Sequence, residues 1–211
     1  MRYKAILFDL DGTLVDSIDA YRDACTHAMQ SIGLDLHPEE FEYFYATGTS
    51  IEEWIRRKGG STTLASSMRS ARDVYYRESL RKNSALFDGA AALFELINNH
   101  PRAIITGSWN SYVDAIDDCL GIRKYFRHII TCDDMQPYHK PHPHGLLLAA
   151  DRLGVEPETC IYIGDQLFDI DAARAAGMTS CLIKRRFTPK QAYGKADHEI
   201  LSLEELPVLL Q

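Results

Sequence analysis

No stretch of the sequence approaches the roughly 20 consecutive apolar residues needed to cross a bilayer, and no apolar leader precedes the first strand-like segment. A soluble, cytoplasmic chain is therefore expected. Paired cysteines are missing too. Cys25, Cys119, Cys132, Cys160 and Cys181 are scattered without a Cys-x-x-Cys spacing, and their odd number argues for reduced thiols over a secreted disulfide framework. Positive charge is scarce: 23 Lys and Arg against 30 Asp and Glu leave a formal charge of −7. That balance argues against nucleic acid or an anionic membrane as the main partner, and attraction to any anionic ligand must be local. Internal repeats, low-complexity tracts and charge blocks are also absent.

What is present is an ordinary globular composition over 211 residues, enough for one full core and a smaller accessory domain. The chain is organised around Phe8-Asp9-Leu10-Asp11-Gly12-Thr13-Leu14-Val15-Asp16. The apolar run 3–8 before it is too short for a helix and reads as a buried strand ending in a loop. In extended chain Asp9 and Asp11 point to the same side while Leu10 turns away. Two carboxylates aimed together repel unless a cation or a shared proton offsets them. A hard cation such as Mg2+ is the usual partner of oxygen ligands, and Gly12 permits a sharp turn or a close backbone approach.

From Asp16 to Ala85 no strand-like run occurs. Helices are expected over 17–32, from His37-Pro38 through Tyr45, over 51–58 and over 66–82, with a break at Thr47-Gly48-Thr49-Ser50. An all-helical insertion of about seventy residues is far longer than a crossover and is expected to be a separate small domain. From Phe87 helix and strand alternate. Helices are expected over 90–98, 111–120, 145–153 and 169–176, and strands over 103–106, 128–131, 160–164 and 179–183. A short edge strand near 198–200 and a helix over 203–210 end the chain. This rhythm predicts an α/β fold with a Rossmann-like parallel sheet, 1–15 and 86–211 forming the core and 16–85 the insertion. Ligands of open parallel sheets bind beyond the carboxyl ends of the strands, where Asp9, Asp11, Thr106, Lys140 and Asp165 all fall.

Asp9-Leu10-Asp11-Gly12-Thr13, Ile105-Thr106-Gly107-Ser108, Lys140-Pro141 and Gly164-Asp165-Gln166-Leu167-Phe168-Asp169 resemble, in order and spacing, the four motifs of the haloacid dehalogenase superfamily. The likeness spans nearly the whole chain. Through Lys140-Pro141-His142-Pro143 and 172–178 it is most similar to the phosphoglycolate-phosphatase-like branch, whose helical cap domain the insertion resembles. The resemblance implies a Mg2+-dependent phosphatase of a small phosphorylated metabolite. Asp9 would be the nucleophile that forms an aspartyl-phosphate, and Asp11 the acid that protonates the leaving oxygen and then activates water. Asp9, the Asp11 carbonyl, Asp165 and Asp169 would hold Mg2+, Asp169 directly or through a water. Thr106 and the amides of Gly107 and Ser108, at a helix N-terminus, would bind phosphate oxygens, and Lys140 would neutralise phosphate and nucleophile together. If the following helix starts early, Asp165 and Asp169 share a face toward the metal.

Taken singly, these residues have plainer readings. Asp9 and Asp11 could cap a turn, Thr106 a helix, Asp165 and Asp169 the helix after them, and Lys140 could be solvated; the ordered set outweighs these. His139, His142 and His144 suggest zinc only faintly, because Pro141 and Pro143 make an extended segment. Arg56-Arg57-Lys58 could meet a substrate anion, with a solvated helix face as the default. Tyr43, Tyr45 and Trp54 are expected in the core of the insertion, and 47–50 is the candidate selectivity loop. Gln166 and Phe168 stand where the family often has Ser and Asn, which is expected to strip polar groups from around the metal. Tyr21 stands where phosphomutases of the family often carry His. A sugar phosphomutase and a non-catalytic phosphoester-binding regulator are the rival readings, and a monomer or weak homodimer is expected.

Overall fold

The computed structural model describes residues 2–211. Its first strand, β1 (Ala5–Phe8), is buried throughout, because Ile6 and Phe8 enter one apolar cluster while Ala5 and Leu7 enter another on the opposite face. Four helices follow: α1 (Ile18–Ser31), α2 (Pro38–Thr47), α3 (Ile51–Arg57) and α4 (Ala65–Asn83). Then come α5 (Ala90–Leu96), β2 (Arg102–Ile105), α6 (Asn110–Leu120), β3 (His128–Ile130), α7 (Cys132–Met135) and α8 (His144–Leu153). The chain ends with β4 (Cys160–Gly164), α9 (Leu167–Ala175), β5 (Thr179–Ile183), β6 (His198–Ile200) and α10 (Leu206–Leu209).

The six strands make one parallel sheet in the order β3-β2-β1-β4-β5-β6. Phe94 of α5 and Ile116 of α6 cover the face of Ile6, and Leu146 of α8 and Ala173 of α9 cover the face of Leu7. This is the Rossmann-like α/β architecture that the alternation predicts. The chain winds outward from β1 to β3 and returns to β4 on the other side of β1. The order therefore reverses between β1 and β4, and the crevice beyond their carboxyl ends is the natural ligand site.

Helices α1 to α4 gather around an apolar cluster of their own that includes Met29, Phe41, Trp54, Ile55 and Met68. The two connections between these helices and the sheet are tied to each other. Val15 and Leu86 form an antiparallel bridge, the Asp16 amide donates to the Ala85 carbonyl at 2.9 Å, and the Phe87 amide donates to the Leu14 carbonyl at 3.0 Å.

Two segments depart from expectation. The last helix is split into a 3-10 turn, Leu203–Glu205, and α10, since Pro207 has no amide to give the Leu203 carbonyl. The loop after β3 holds the short α7, capped where the Thr131 amide donates to Asp134 Oδ2 at 2.9 Å. Among the described residues no helix is long and apolar enough to cross a membrane.

Candidate active site

Asp9 leaves the end of β1, Asp165 follows β4, and Asp169 sits in the first turn of α9. All three are buried, and each offers a carboxylate oxygen within 4.8 Å of the others. Two glycines make room for them. A Cβ at Gly12, whose φ is +81°, would stand 2.7 Å from Asp165 Oδ2, and one at Gly164 would stand 2.4 Å from the Asp169 Cβ.

Lys140 closes the cluster. Its buried Nζ lies 2.6 Å from Asp9 Oδ1 and 2.6 Å from Asp169 Oδ1, and it donates to the Tyr162 hydroxyl at 3.0 Å. Burial pushes the Asp9 carboxyl up to about 7 against the pull of Lys140, with Asp169 and Asp11 adding to the rise. Burial, reinforced by Asp169 and Asp9, also holds Asp165 well above the usual carboxylate value. Burial opposes the Lys140 charge, but Asp169 and Asp9 outweigh it and hold the ammonium well above its ordinary value. One ammonium faces three buried carboxylates, so the cluster is short of positive charge, and its oxygen-only donor set fits a hard divalent cation.

Asp11 is held differently. Its Oδ1 accepts from Ser17 Oγ at 2.5 Å and the Tyr76 hydroxyl at 3.4 Å, while Oδ2 accepts from Ser108 Oγ at 2.7 Å and Thr106 Oγ1 at 3.3 Å. Hydroxyls from the entry to α1, from α4 and from the loop after β2 thus converge on one carboxylate, which stays outside the three-carboxylate cluster. Above both groups lies a cavity of about 370 Å3, lined at its floor by Asp9, Asp11, Thr106, Gly107, Ser108 and Lys140. The residues expected from the motifs are therefore brought together.

Several details differ from the sequence expectation. Helix α9 begins only at Leu167, so Asp165 is not on it; the turn at Gln166, whose amide donates to Asp169 Oδ2 at 3.0 Å, brings the two carboxylates together. Gln166 adds a polar group instead of removing one: its Nε2 donates to Asp165 Oδ2 at 2.6 Å. Helix α6 starts at Asn110, beyond the Thr106-Gly107-Ser108 turn, and the Ser108 amide is engaged by Thr106 Oγ1 at 3.0 Å. Within 47–50, only Gly48 and Thr49 line the cavity, while Ser50 Oγ accepts from the Glu53 amide as the cap of α3.

Other candidates fall away. Arg56 and Arg57 pair with Glu53, and Lys58 pairs with Glu40, all outside this cavity. Trp54 is buried and Tyr45 lines the cavity, but Tyr43 is 51% exposed and no part of the core. The segment carrying the three histidines is turned rather than extended, the His142 amide donating to the His139 carbonyl at 2.8 Å. Tyr138 stacks on His142 at 4.1 Å, and the His142 and His144 rings are 6.4 Å apart, so they do not converge on an ion.

The motifs missed Ser17, Arg72, Tyr76, Tyr112 and Tyr162. Arg72 had a signal: Met68, Arg72, Tyr76 and Leu80 recur every four residues, and all are buried on α4, so a cation interrupts an apolar stripe. Tyr162 had a fainter one, a hydroxyl inside an otherwise apolar strand. Its parity with Cys160 places it on the face of β4 toward Leu7, where it meets Lys140.

The profile of the haloacid dehalogenase-like hydrolases matches residues 6–183. The phosphoglycolate phosphatase of Shigella boydii serotype 4 (strain Sb227) is 30% identical over 201 residues, covering 84% of this chain and 79% of its own. That of Salmonella typhi is 29% identical over 230 residues, covering 98% and 88%. Among solved structures, CbbY from Rhodobacter sphaeroides in complex with phosphate superposes with a TM-score of 0.84 at 26% identity, over 97% of this chain and 96% of its own. A haloacid dehalogenase-like hydrolase from Streptococcus pneumoniae does so with a TM-score of 0.85 at 25% identity, over 100% and 99%. The carboxylate cluster at the β1 and β4 ends, its lysine, and these likenesses converge: the chain belongs to the haloacid dehalogenase-like hydrolases and is a phosphatase of their phosphoglycolate-phosphatase-like branch.

Proposed function

We propose that the protein is a Mg2+-dependent phosphatase that hydrolyses a small phosphomonoester through an aspartyl-phosphate on Asp9, with residues 16–85 acting as a cap over the site. The observation that carries this reading is the buried Asp9, Asp165 and Asp169 cluster, with Lys140 paired to Asp9 and Asp169, directly beneath the cavity. Asp9, the Asp11 carbonyl and Asp165 would hold Mg2+, which when bound supplies charge neutralisation for the phosphate and the nucleophile. Both oxygens of Asp169 already accept, from Lys140 and from the Gln166 amide, which favours its reaching the metal through a water.

Lys140 anchors one Asp9 oxygen, leaving the other to attack phosphorus in line. Asp11, held by four hydroxyls, protonates the leaving oxygen and then takes a proton from the attacking water. Thr106 and the Gly107 amide receive the phosphate oxygens. Because Ser17 and Tyr76 reach Asp11 from the helical side, cap position and acid orientation are linked, and a closed cap excludes water from the nucleophile. Five free cysteines, Cys119 alone exposed, support a reducing, cytoplasmic setting, and a monomer or weak homodimer belongs to the same reading.

Inorganic phosphate release from phosphoglycolate, sugar phosphates, nucleotides and pyrophosphate, with Mg2+ or EDTA, tests it. Release that needs Mg2+ and vanishes in Asp9→Asn is expected. Positional transfer without net release would turn the reading to a phosphomutase, and binding without turnover to a regulator.

A further inference from the structure

The floor and the roof of the cavity are built from different chemistry. The floor carries the carboxylates and Lys140; the roof is aromatic, with Tyr21, Phe44, Tyr45 and Trp54 from the helical insertion and Tyr112 of α6 beside them. One cation lines the roof, Arg72, and its charge is already matched. Arg72 Nε and Nη2 donate to Asp73 Oδ1 at 2.9 and 2.7 Å. Its Nη1 donates to the Tyr21 hydroxyl at 3.3 Å and its Nη2 to the Tyr112 hydroxyl at 3.3 Å. Tyr112 closes the network by donating to the same Asp73 oxygen at 2.5 Å.

This arrangement bears on the alcohol part of the ester. The Arg72 side chain is 10% exposed and that of Asp73 33%, so a substrate anion drawn to Arg72 would also sit beside the Asp73 carboxylate, whose repulsion offsets the attraction. An uncharged group with hydroxyls costs nothing of the kind, since the Tyr21 and Tyr112 hydroxyls can turn toward it while the ion pair stays intact. The rigid aromatic walls offer broad contact area at little entropic cost. At about 370 Å3 the cavity falls within the roughly 300–1,000 Å3 of small-molecule sites, so a two-carbon acid would leave much of it to water.

Resting on the phosphatase reading above, we propose that this enzyme selects phosphomonoesters of an uncharged, polyhydroxylated ring and discriminates against esters with a second anionic group, because Asp73 neutralises the roof cation Arg72. The relatives' own substrate name, phosphoglycolate, carries such a second anion; the selection here runs the other way. Asp73 acts as a positioning and neutralising residue, at second remove from the substrate.

The test is kcat/KM for phosphate release from p-nitrophenyl phosphate, hexose 6-phosphates, phosphoglycolate and fructose 1,6-bisphosphate. Hexose monophosphates are expected to exceed both doubly anionic esters by about tenfold or more, equivalent to about 1.4 kcal/mol. Phosphoglycolate or the bisphosphate matching or beating them, with p-nitrophenyl phosphate still hydrolysed, overturns the selectivity and leaves the phosphatase reading standing. No release from any ester, p-nitrophenyl phosphate included, removes the phosphatase reading and this inference with it. Asp73→Asn should free the guanidinium and raise the ratio of phosphoglycolate to hexose phosphate turnover by about tenfold. An unchanged ratio in variant protein with the wild-type circular dichroism spectrum overturns the role of Asp73. Tyr112→Phe, which deletes only the bridging hydroxyl, should move the ratio the same way by raising KM for the hexose ester, and an unaltered KM counts against the network.

Discussion

Three parts of the chain meet on Asp11, since Ser17, Tyr76, Thr106 and Ser108 all donate to it. Its substitution therefore separates chemistry from packing. Asp11→Asn keeps the shape but cannot move a proton, so kcat should fall by about 10^2 to 10^4, with the thermal midpoint near wild type. A kcat within a factor of a few of wild type would remove Asp11 from proton transfer. Gly164 makes a second residue-scale point. A methyl there would overlap Asp169, and Gly164→Ala should cost about 1–3 kcal/mol through the forced backbone shift while weakening any response to Mg2+; an unfolding curve in urea reads both. The motif residues were legible because their spacing places them at successive strand ends. Arg72 and Tyr162 were not, because a helix or strand pattern says which side is buried and not what polar atom waits there.

At the scale of elements, the loop after β5 packs against the helices beside the site. Phe187 packs edge-on against Phe41 at 6.2 Å and against Tyr45 at 6.4 Å, and its carbonyl accepts from Gln166 Nε2 at 3.3 Å. A Phe41→Leu, Phe187→Leu double-mutant cycle should return a coupling of about 0.5–1.5 kcal/mol, and a coupling of zero would make the contact incidental. Further along, Asp197 ties the entry of β6 to β5. The Ser180 amide and hydroxyl donate to its Oδ2 at 2.9 and 2.7 Å, and this holds the Asp197 carboxyl below its ordinary value of 3.8. A carboxyl lowered in the folded state contributes stability above the unfolded value, and that contribution is lost as pH falls through the folded one. Asp197→Asn should thus be less stable than wild type at neutral pH, and the gap should close below pH 3.8; a gap that persists in acid would mean that packing, and not ionisation, is responsible. Helix α9 shows the limit of pattern at this scale. Its period was readable, but its first residue was set by the Gln166 capping turn, and that turn is what lets Asp165 and Asp169 meet.

Across the whole molecule, the charge imbalance of the cluster would couple metal binding to folding. Three buried carboxylates against one ammonium leave repulsion that a bound cation relieves in the folded state alone. Mg2+ at about 100 times its Kd should stabilise by about 2.7 kcal/mol, which at this chain length raises Tm by about 5–10 °C over EDTA. Asp165→Asn should abolish the shift; a wild-type Tm indifferent to Mg2+ would take the metal away from this cluster. The parallel sheet, the helical insertion between β1 and β2, and the motif carboxylates and lysine were determined locally, because strand parity, helical period and the order of four motifs are properties of neighbouring residues. Long-range packing decided the rest. Tyr162 under Lys140, four hydroxyls on Asp11, and Arg72 neutralised within an aromatic roof depend on which side chains from distant parts of the chain share one buried volume, and a polar atom takes its partner from that volume.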